Sequence, residues 1–207
     1  MAVTVRLEQA GVAPPRRLDA MRVSGRRWTR ADFNRPTLRV ARELLGAFLV
    51  RRTEQGARSA MISEVEAYRG PRDLACHAPR GRRTPRVDPL YMDGGTIYVY
   101  FCYGMHWLLN FSTAGLELPE AVLVRGVWTD EPTPRVIVGP ARVTRHLGID
   151  KQLNGGDAVR SDELWVEDRG VSIPARRVRR GPRVGIDYAG PYWAARPWRF
   201  WVEAETK

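Results

Sequence analysis

The chain has 207 residues, 43% of them hydrophobic, which suits one large domain or two small ones and excludes global disorder. It carries no apolar run long enough to span a bilayer, and no signal-peptide core is expected at its Arg-rich start. A net charge of +11 and a pI near 10.5 point to a polyanionic partner, and without a basic amphipathic helix a membrane surface is set aside.

Residues 1–30, with "APPRR" and "SGRRWTR", show no sustained period and read as a mobile basic arm; residues 31–207 read as the domain. "RPTLRVARELLG" predicts a helix with Leu38, Ala41, Leu44 and Leu45 on one face and Gly46 as its C-terminal cap. "AFLVRRT" and "SAMISEVEAY" predict two strands joined across "EQGAR". Residues 69–95 form a long loop with five arginines after Arg69, and loops this long are usually functional or disordered. "TIYVYFCYGMHWLLNFS", residues 96–112, predicts a hairpin that turns at Gly104. Tyr103 stands at its bend, an odd place for a large ring.

"EAVLVRGVW" then reads as a buried strand and "GPARVTRHLGI" as a short helix with Val143 and Leu147 inward. "RRVRRGPRV" reads as a basic loop, and "RVGIDY" and "PWRFWVE" as closing strands. Strands outnumber helices and neighbours pair by hairpins. The expected class is therefore α+β: a single domain around a curved, mainly antiparallel sheet with a protruding hairpin and flanking helices. Neither Cys76 nor Cys102 belongs to a CxxC pair, and the three histidines are scattered, so no metal site or other cofactor is expected. Reduced thiols are the simpler reading of the two cysteines, with one disulfide as the alternative.

On "SEVEAY" the period of two puts Glu64, Glu66 and Tyr68 on one strand face. Alone, that pattern is better explained by a solvated face. The hairpin adds weight to a functional reading: Tyr98 and Tyr100 share one face, and Asn110 interrupts an apolar strand. An amide buried without partners costs about 1–3 kcal/mol, so Asn110 either makes structural hydrogen bonds or reads a ligand. Arg125, flanked by apolar strand residues, wants a carboxylate or a phosphate, and Glu66 is available. A basic surface, an aromatic wedge, aromatic walls and a buried carboxylate together suit an enzyme that extrudes a base from a duplex and plugs the gap.

The stretches "ISEVEAYRGPRDLACH", "TPR", "TIYVYFCYGMHWLLN" and "AVLVRGV" resemble the alkyladenine (3-methyladenine or methylpurine) DNA glycosylases, over about Leu38 to Val202. The resemblance implies a monofunctional glycosylase of base excision repair, acting on double-stranded DNA with alkylated or deaminated purines. It implies that Glu66 activates the attacking water, with Arg125 and the backbone at Val184 helping to hold it. Tyr68 and His77 would stack on one face of the flipped base and Tyr100 on the other. Asn110 would crowd the exocyclic amine of a normal guanine, and Tyr103 would intercalate through the minor groove. Arg80, Arg82, Arg83, Arg86, Arg179 and Arg180 are the expected phosphate contacts. The connection after the strand of Arg125, "TDEPTPRVI", is shorter than the helical segment that family members usually carry, and His106 stands where an aromatic residue is frequent.

Cleaving the backbone as well would need an amine nucleophile, and the two lysines, Lys151 and Lys207, lie away from every motif. A monomer is expected, in the cytoplasm if the source is bacterial. Two other readings stand beside this one. A non-catalytic minor-groove DNA-bending protein explains the charge and the tip but not Glu66 facing Arg125. A single-strand or RNA binder that stacks bases on Tyr98 and Tyr100 has no need of a buried carboxylate.

Overall fold

The structure is a computed structural model and describes residues 25–102, 104–131 and 133–203. In chain order its elements are β1 (Arg26–Arg27), α1 (Arg30–Phe33), α2 (Thr37–Glu43), β2 (Phe48–Thr53), β3 (Gly56–Arg69), β4 (Ile97–Cys102) and β5 (His106–Thr113). There follow β6 (Glu120–Thr129), β7 (Val136–Val138), α3 (Pro140–Leu147), β8 (Leu164–Asp168), β9 (Val178–Gly181), α4 (Pro191–Ala194) and β10 (Arg199–Val202). The ten strands form one sheet with the main order β1-β8-β2-β3-β6-β5-β4, and every pairing is antiparallel. The expected α+β class is the observed one.

The sheet branches at β3. One edge of this strand pairs with β6 along Ala60–Arg69. The other pairs first with β2, as far as Met61, and then with β10 at Glu64–Glu66. The strand can be so long because both of its faces are buried. Val65 and Ala67 are fully covered on the core side, among Val40, Leu44, Val124 and Val143. Glu66 is fully covered on the other.

Helix α3 shows how local signals and packing agree. Gly139 and Pro140 open it, and Gly148, in the left-handed region at φ 63°, closes it as only glycine does readily. Val143 and Leu147 face the core as the period predicted, and Thr144 donates to the Trp107 carbonyl at 2.7 Å, docking the helix on β5. The outer edge of β4 is capped as well. Ile97 and Gly156 share a backbone hydrogen bond of 2.7 Å, and the Asn154 side chain accepts from the Val99 N–H.

Several expectations need correction. The strand near the end of the chain is Val178–Gly181, within the predicted basic loop, and not "RVGIDY". Pro182 offers no N–H to a ladder and Arg183 turns into the interior, so the chain leaves the sheet there. Loop 69–95 is built on three short 3-10 turns, Gly70–Arg72, Pro79–Gly81 and Asp88–Tyr91, each with an early proline. The expected arm over residues 1–30 is too long at its C-terminal end: Arg26–Arg27 pair with β8, and Trp28 is buried against Phe33. Residues 1–24 lie outside the described residues. Strand β8, which joins β1 to β2, was not predicted at all. Both cysteines are free.

Candidate active site

The site begins with an irregularity in the β3–β6 ladder. Ile62 pairs with Val127 and Glu64 with Gly126, which leaves Ser63 without a partner. Val65 then pairs with Val124, which leaves Arg125 as the extra residue on β6. The two bulges cancel, so the register is the same on either side. Between them the strands come very close: a Cβ on Gly126 would meet the Glu64 Cβ at 3.0 Å and the Ser63 Oγ at 3.1 Å. The bulge aims Arg125 at β3. Its Nε lies 3.1 Å from Glu64 Oε1 and 3.3 Å from Glu66 Oε1. Arg199 of β10 reaches Glu64 from the other side at 3.3 Å.

Glu66 has no exposed surface, and each oxygen of its carboxylate accepts one hydrogen bond. Oε1 accepts the Val184 N–H at 2.8 Å and Oε2 accepts the Tyr68 hydroxyl at 2.9 Å. Burial raises its pKa above the usual carboxylate range, and Arg125, the Val184 N–H and the Tyr68 hydroxyl act against that rise. Ionised, it is a desolvated base beside a fixed cation. Such a group can take a proton from water and stabilise positive charge.

Beside it lies a narrow, largely apolar pocket lined by Tyr68, Cys76, His77, Leu90, Tyr98, Tyr100, Asn110 and Ala121. Strand pairing assembles most of it: Tyr98 faces Asn110, and Tyr68 faces Ala121. Loop 69–95 supplies the remaining wall through Cys76, His77 and Leu90. The thiol of Cys76 is pushed up to about 11 by burial, so it is an apolar wall and not a nucleophile. Tyr98 and Tyr100 stack with centroids 5.4 Å apart. The buried Asn110 amide donates to the Tyr98 carbonyl at 3.2 Å, which answers half of the question the sequence posed: it has a structural partner and still lines the pocket.

His77 sits at the mouth. The residue is exposed, yet its ring edge packs on Tyr100 at 4.4 Å, and Nδ1 pairs with the Tyr98 hydroxyl at 2.9 Å. Desolvation by the neighbouring rings, helped by the Arg86 charge, holds its pKa down at about 4, so the imidazole is neutral at physiological pH. A flat ring between two others needs roughly 7 Å, twice the base-to-base rise. His77 must therefore turn away from Tyr100 before a base can lie between them.

The arginines divide into two sets. Arg83 is committed to Asp88 and Glu117, and Arg179 to Glu203. Arg80, Arg82, Arg86 and Arg180 are exposed and have no carboxylate partner among the described residues. Tyr103 lies outside the described residues. Its neighbours show the hairpin standing clear: Met105 is 68% exposed and Phe101 44%.

Glu64, which the period of two placed beside Glu66 without a role, shares Arg125 with it. Two residues that sequence reasoning missed, Arg183 and Asp73, form a fully buried pair beside Tyr68. An aspartate after "GPR" and an arginine directly before Val184 carry no periodic signal, and nothing short of the folded loop pairs them.

A family model described as methylpurine-DNA glycosylase (MPG) matches residues 31–206. Among curated proteins, one from Myxococcus xanthus that carries the name 3-methyladenine DNA glycosylase is 44% identical over 174 residues, 82% of this chain and 87% of its own length. Proteins of the same name from Psychrobacter cryohalolentis and Chlamydia felis are 39% and 38% identical, covering 76% and 81% of this chain and 84% and 91% of theirs.

Proposed function

The chain belongs to the methylpurine-DNA glycosylase family, and from that membership we propose that it excises alkylated purines by a single hydrolytic step driven by Glu66. It is a DNA glycosylase, an enzyme of DNA repair. The damaged nucleotide leaves the stack and its base enters the pocket of Tyr68, His77, Tyr100 and Asn110. The C1′–N bond breaks with its electron pair going to the purine. Water oxygen bonds C1′, and its proton goes to Glu66. A purine already cationic through alkylation leaves neutral and needs no acid, and electron-rich tyrosine faces favour it while it is bound.

The observation that carries this reading is a fully buried carboxylate, held by Arg125, the Val184 N–H and Tyr68, beside an aromatic pocket. The Val184 N–H is committed to Glu66, so the backbone there acts on the water through the carboxylate. Base entry requires the His77 ring to swing off Tyr100 and release Tyr98. Tyr103 is assigned the role of wedge on the family resemblance. Lys151 is the single described lysine, in a turn along the outer edge of β4, three strands from β3, which favours a monofunctional enzyme. We take the working unit to be a monomer. No helix among the described residues is long and apolar enough to cross a membrane.

The test is base release from duplexes that each carry one lesion: 7-methylguanine, hypoxanthine or ethenoadenine. Release of the alkylated base supports the reading. Bending of the duplex with no release from any lesion favours the architectural alternative.

Two further outcomes are expected. Log affinity for duplex DNA falls linearly with log salt, by about 0.9 for each phosphate contacted. Charge reversal at Arg82 lowers that slope, whereas reversal at Arg179, already spent on Glu203, lowers it less. A flat salt response would separate the basic surface from DNA. Asn110→Ser raises release of undamaged guanine, because the shorter side chain no longer meets the exocyclic amine. Unchanged discrimination in this variant would leave the hydrogen bond to Tyr98 as the whole role of Asn110.

A further inference from the structure

Three parts of the site do not share a strand: Tyr68 on β3, His77 in loop 69–95, and Val184 in the turn after β9. One ion pair joins them. The Asp73 and Arg183 side chains are both at 0% exposure, and they meet in two parallel contacts, with Nη2 to Oδ1 at 2.9 Å. Arg183 Nη1 also donates to the Ala67 carbonyl at 3.0 Å. Its guanidinium lies 4.7 Å from the Tyr68 ring centroid and 5.0 Å from that of Trp198. Asp73 accepts the backbone N–H groups of Arg69 at 3.0 Å and Ala75 at 3.1 Å, two residues before His77.

A buried pair of this kind is a weak source of net stability, because apolar residues of the same volume frequently do as well. What it supplies here is geometry. The residue after Arg183 gives its N–H to Glu66, and the ring under the guanidinium gives its hydroxyl to the same carboxylate. We propose that the Arg183–Asp73 pair is a positioning device that fixes the Val184 N–H and the Tyr68 hydroxyl against Glu66. Neither residue touches the reacting atoms. The inference rests on the reading of Glu66 as the base.

The groups that face Glu66 are Glu64 and Tyr68 from β3, Arg125 from β6, Tyr100 from β4 and the Val184 backbone, with Arg199 of β10 held one step away on Glu64. Of these, the clamp acts only on Val184 and Tyr68. Loosening it removes hydrogen bonds that favour the carboxylate and leaves Arg125 in place. The acid limb of the rate profile should then move upward.

The experiment uses the full chain and a duplex carrying one 7-methylguanine, whose leaving base needs no proton. Single-turnover release is measured against pH, with a thermal melt and a binding titration, for Arg183→Lys and for Arg183→Met with Asp73→Asn. The double variant removes both charges together, which a core tolerates better than one, so it carries the comparison if the single variant does not fold. We expect the acid limb to rise by about one pH unit, a tenfold change in the ionised fraction on the limb, with duplex affinity retained. An unmoved limb overturns the proposal, even if melting temperature and rate both fall, because a merely structural pair behaves that way. Glu66→Gln separates the two levels. If it turns over normally, the reading of Glu66 fails and this inference with it. If it is inactive while the clamp variants keep the parent limb, only the clamp is wrong.

Discussion

Glu66→Gln should lower single-turnover base release by about 10²–10⁴-fold, the span of a positioned general base, while lesion binding survives. The substitution keeps the volume of a side chain with no exposed surface, and the amide oxygen can still accept the Val184 N–H. It removes the lone pair that takes the proton and the charge that opposes the developing sugar cation. The pH profile of the parent enzyme gives an independent check. Only ionised Glu66 can act as base, so the rate falls as pH drops through its pKa. Burial raises that pKa, so the acid limb should stand above the ordinary carboxylate range. With its ring packed on Tyr100, His77 has a pKa held down at about 4, below the range where this limb is expected, and loss of the limb in Glu66→Gln assigns it to the carboxylate. A parent rate that stays flat down through the ordinary carboxylate range, or a Glu66→Gln variant near full activity, would remove Glu66 from the mechanism.

The hairpin was legible because its signal is local. Alternation over Ile97–Cys102 and His106–Phe111 sets which residues share a face, and the turn at Gly104, with φ 68°, fixes the register. The same period placed Glu66 and Tyr68 together correctly. It could not show the bulges that aim Arg125 at both glutamates, because a bulge is a property of two strands, and β3 and β6 are far apart in sequence. The end of the chain misled for a related reason. "RVGIDY" alternates like a strand, yet Gly185 takes φ 73° and Arg183 is drawn inward by Asp73. "VRRG" looks like a loop because its arginines are exposed, and it is a strand because it lies at the sheet edge beside β10. Loop 69–95 hid its order in the same way. Asp73 and the apolar residues Val87 and Leu90 hold it from within, and none of them forms a periodic pattern. The resemblance named the pocket residues; it did not foretell that the His77 ring packs edge-on against Tyr100.

Arg125→Met should cost stability and activity together, and a second substitution should pull the two apart. Arg125 is the shared cation of two carboxylates, 3.1 Å from Glu64 and 3.3 Å from Glu66, with 12% of its side chain exposed. Breaking a buried pair by removing one partner costs about 3–5 kcal/mol, because the other charge stays buried. Here Glu64 keeps Arg199 at 3.3 Å, while Glu66 keeps no cation among the described residues. The two carboxylates also repel each other, and that repulsion raises the Glu66 pKa. The variant should therefore melt lower, and its acid limb should stand above that of the parent. Adding Glu64→Gln removes the repulsion and one buried charge but leaves Glu66 without its cation, so the melting temperature should recover part of its loss. Base release should not recover with it, because no cation remains beside Glu66 to hold water and balance the carboxylate. A double variant that regains both stability and rate would make Arg125 a structural partner of Glu64 alone. A single variant that loses neither would mean that the contact between β3 and β6 does not govern this site.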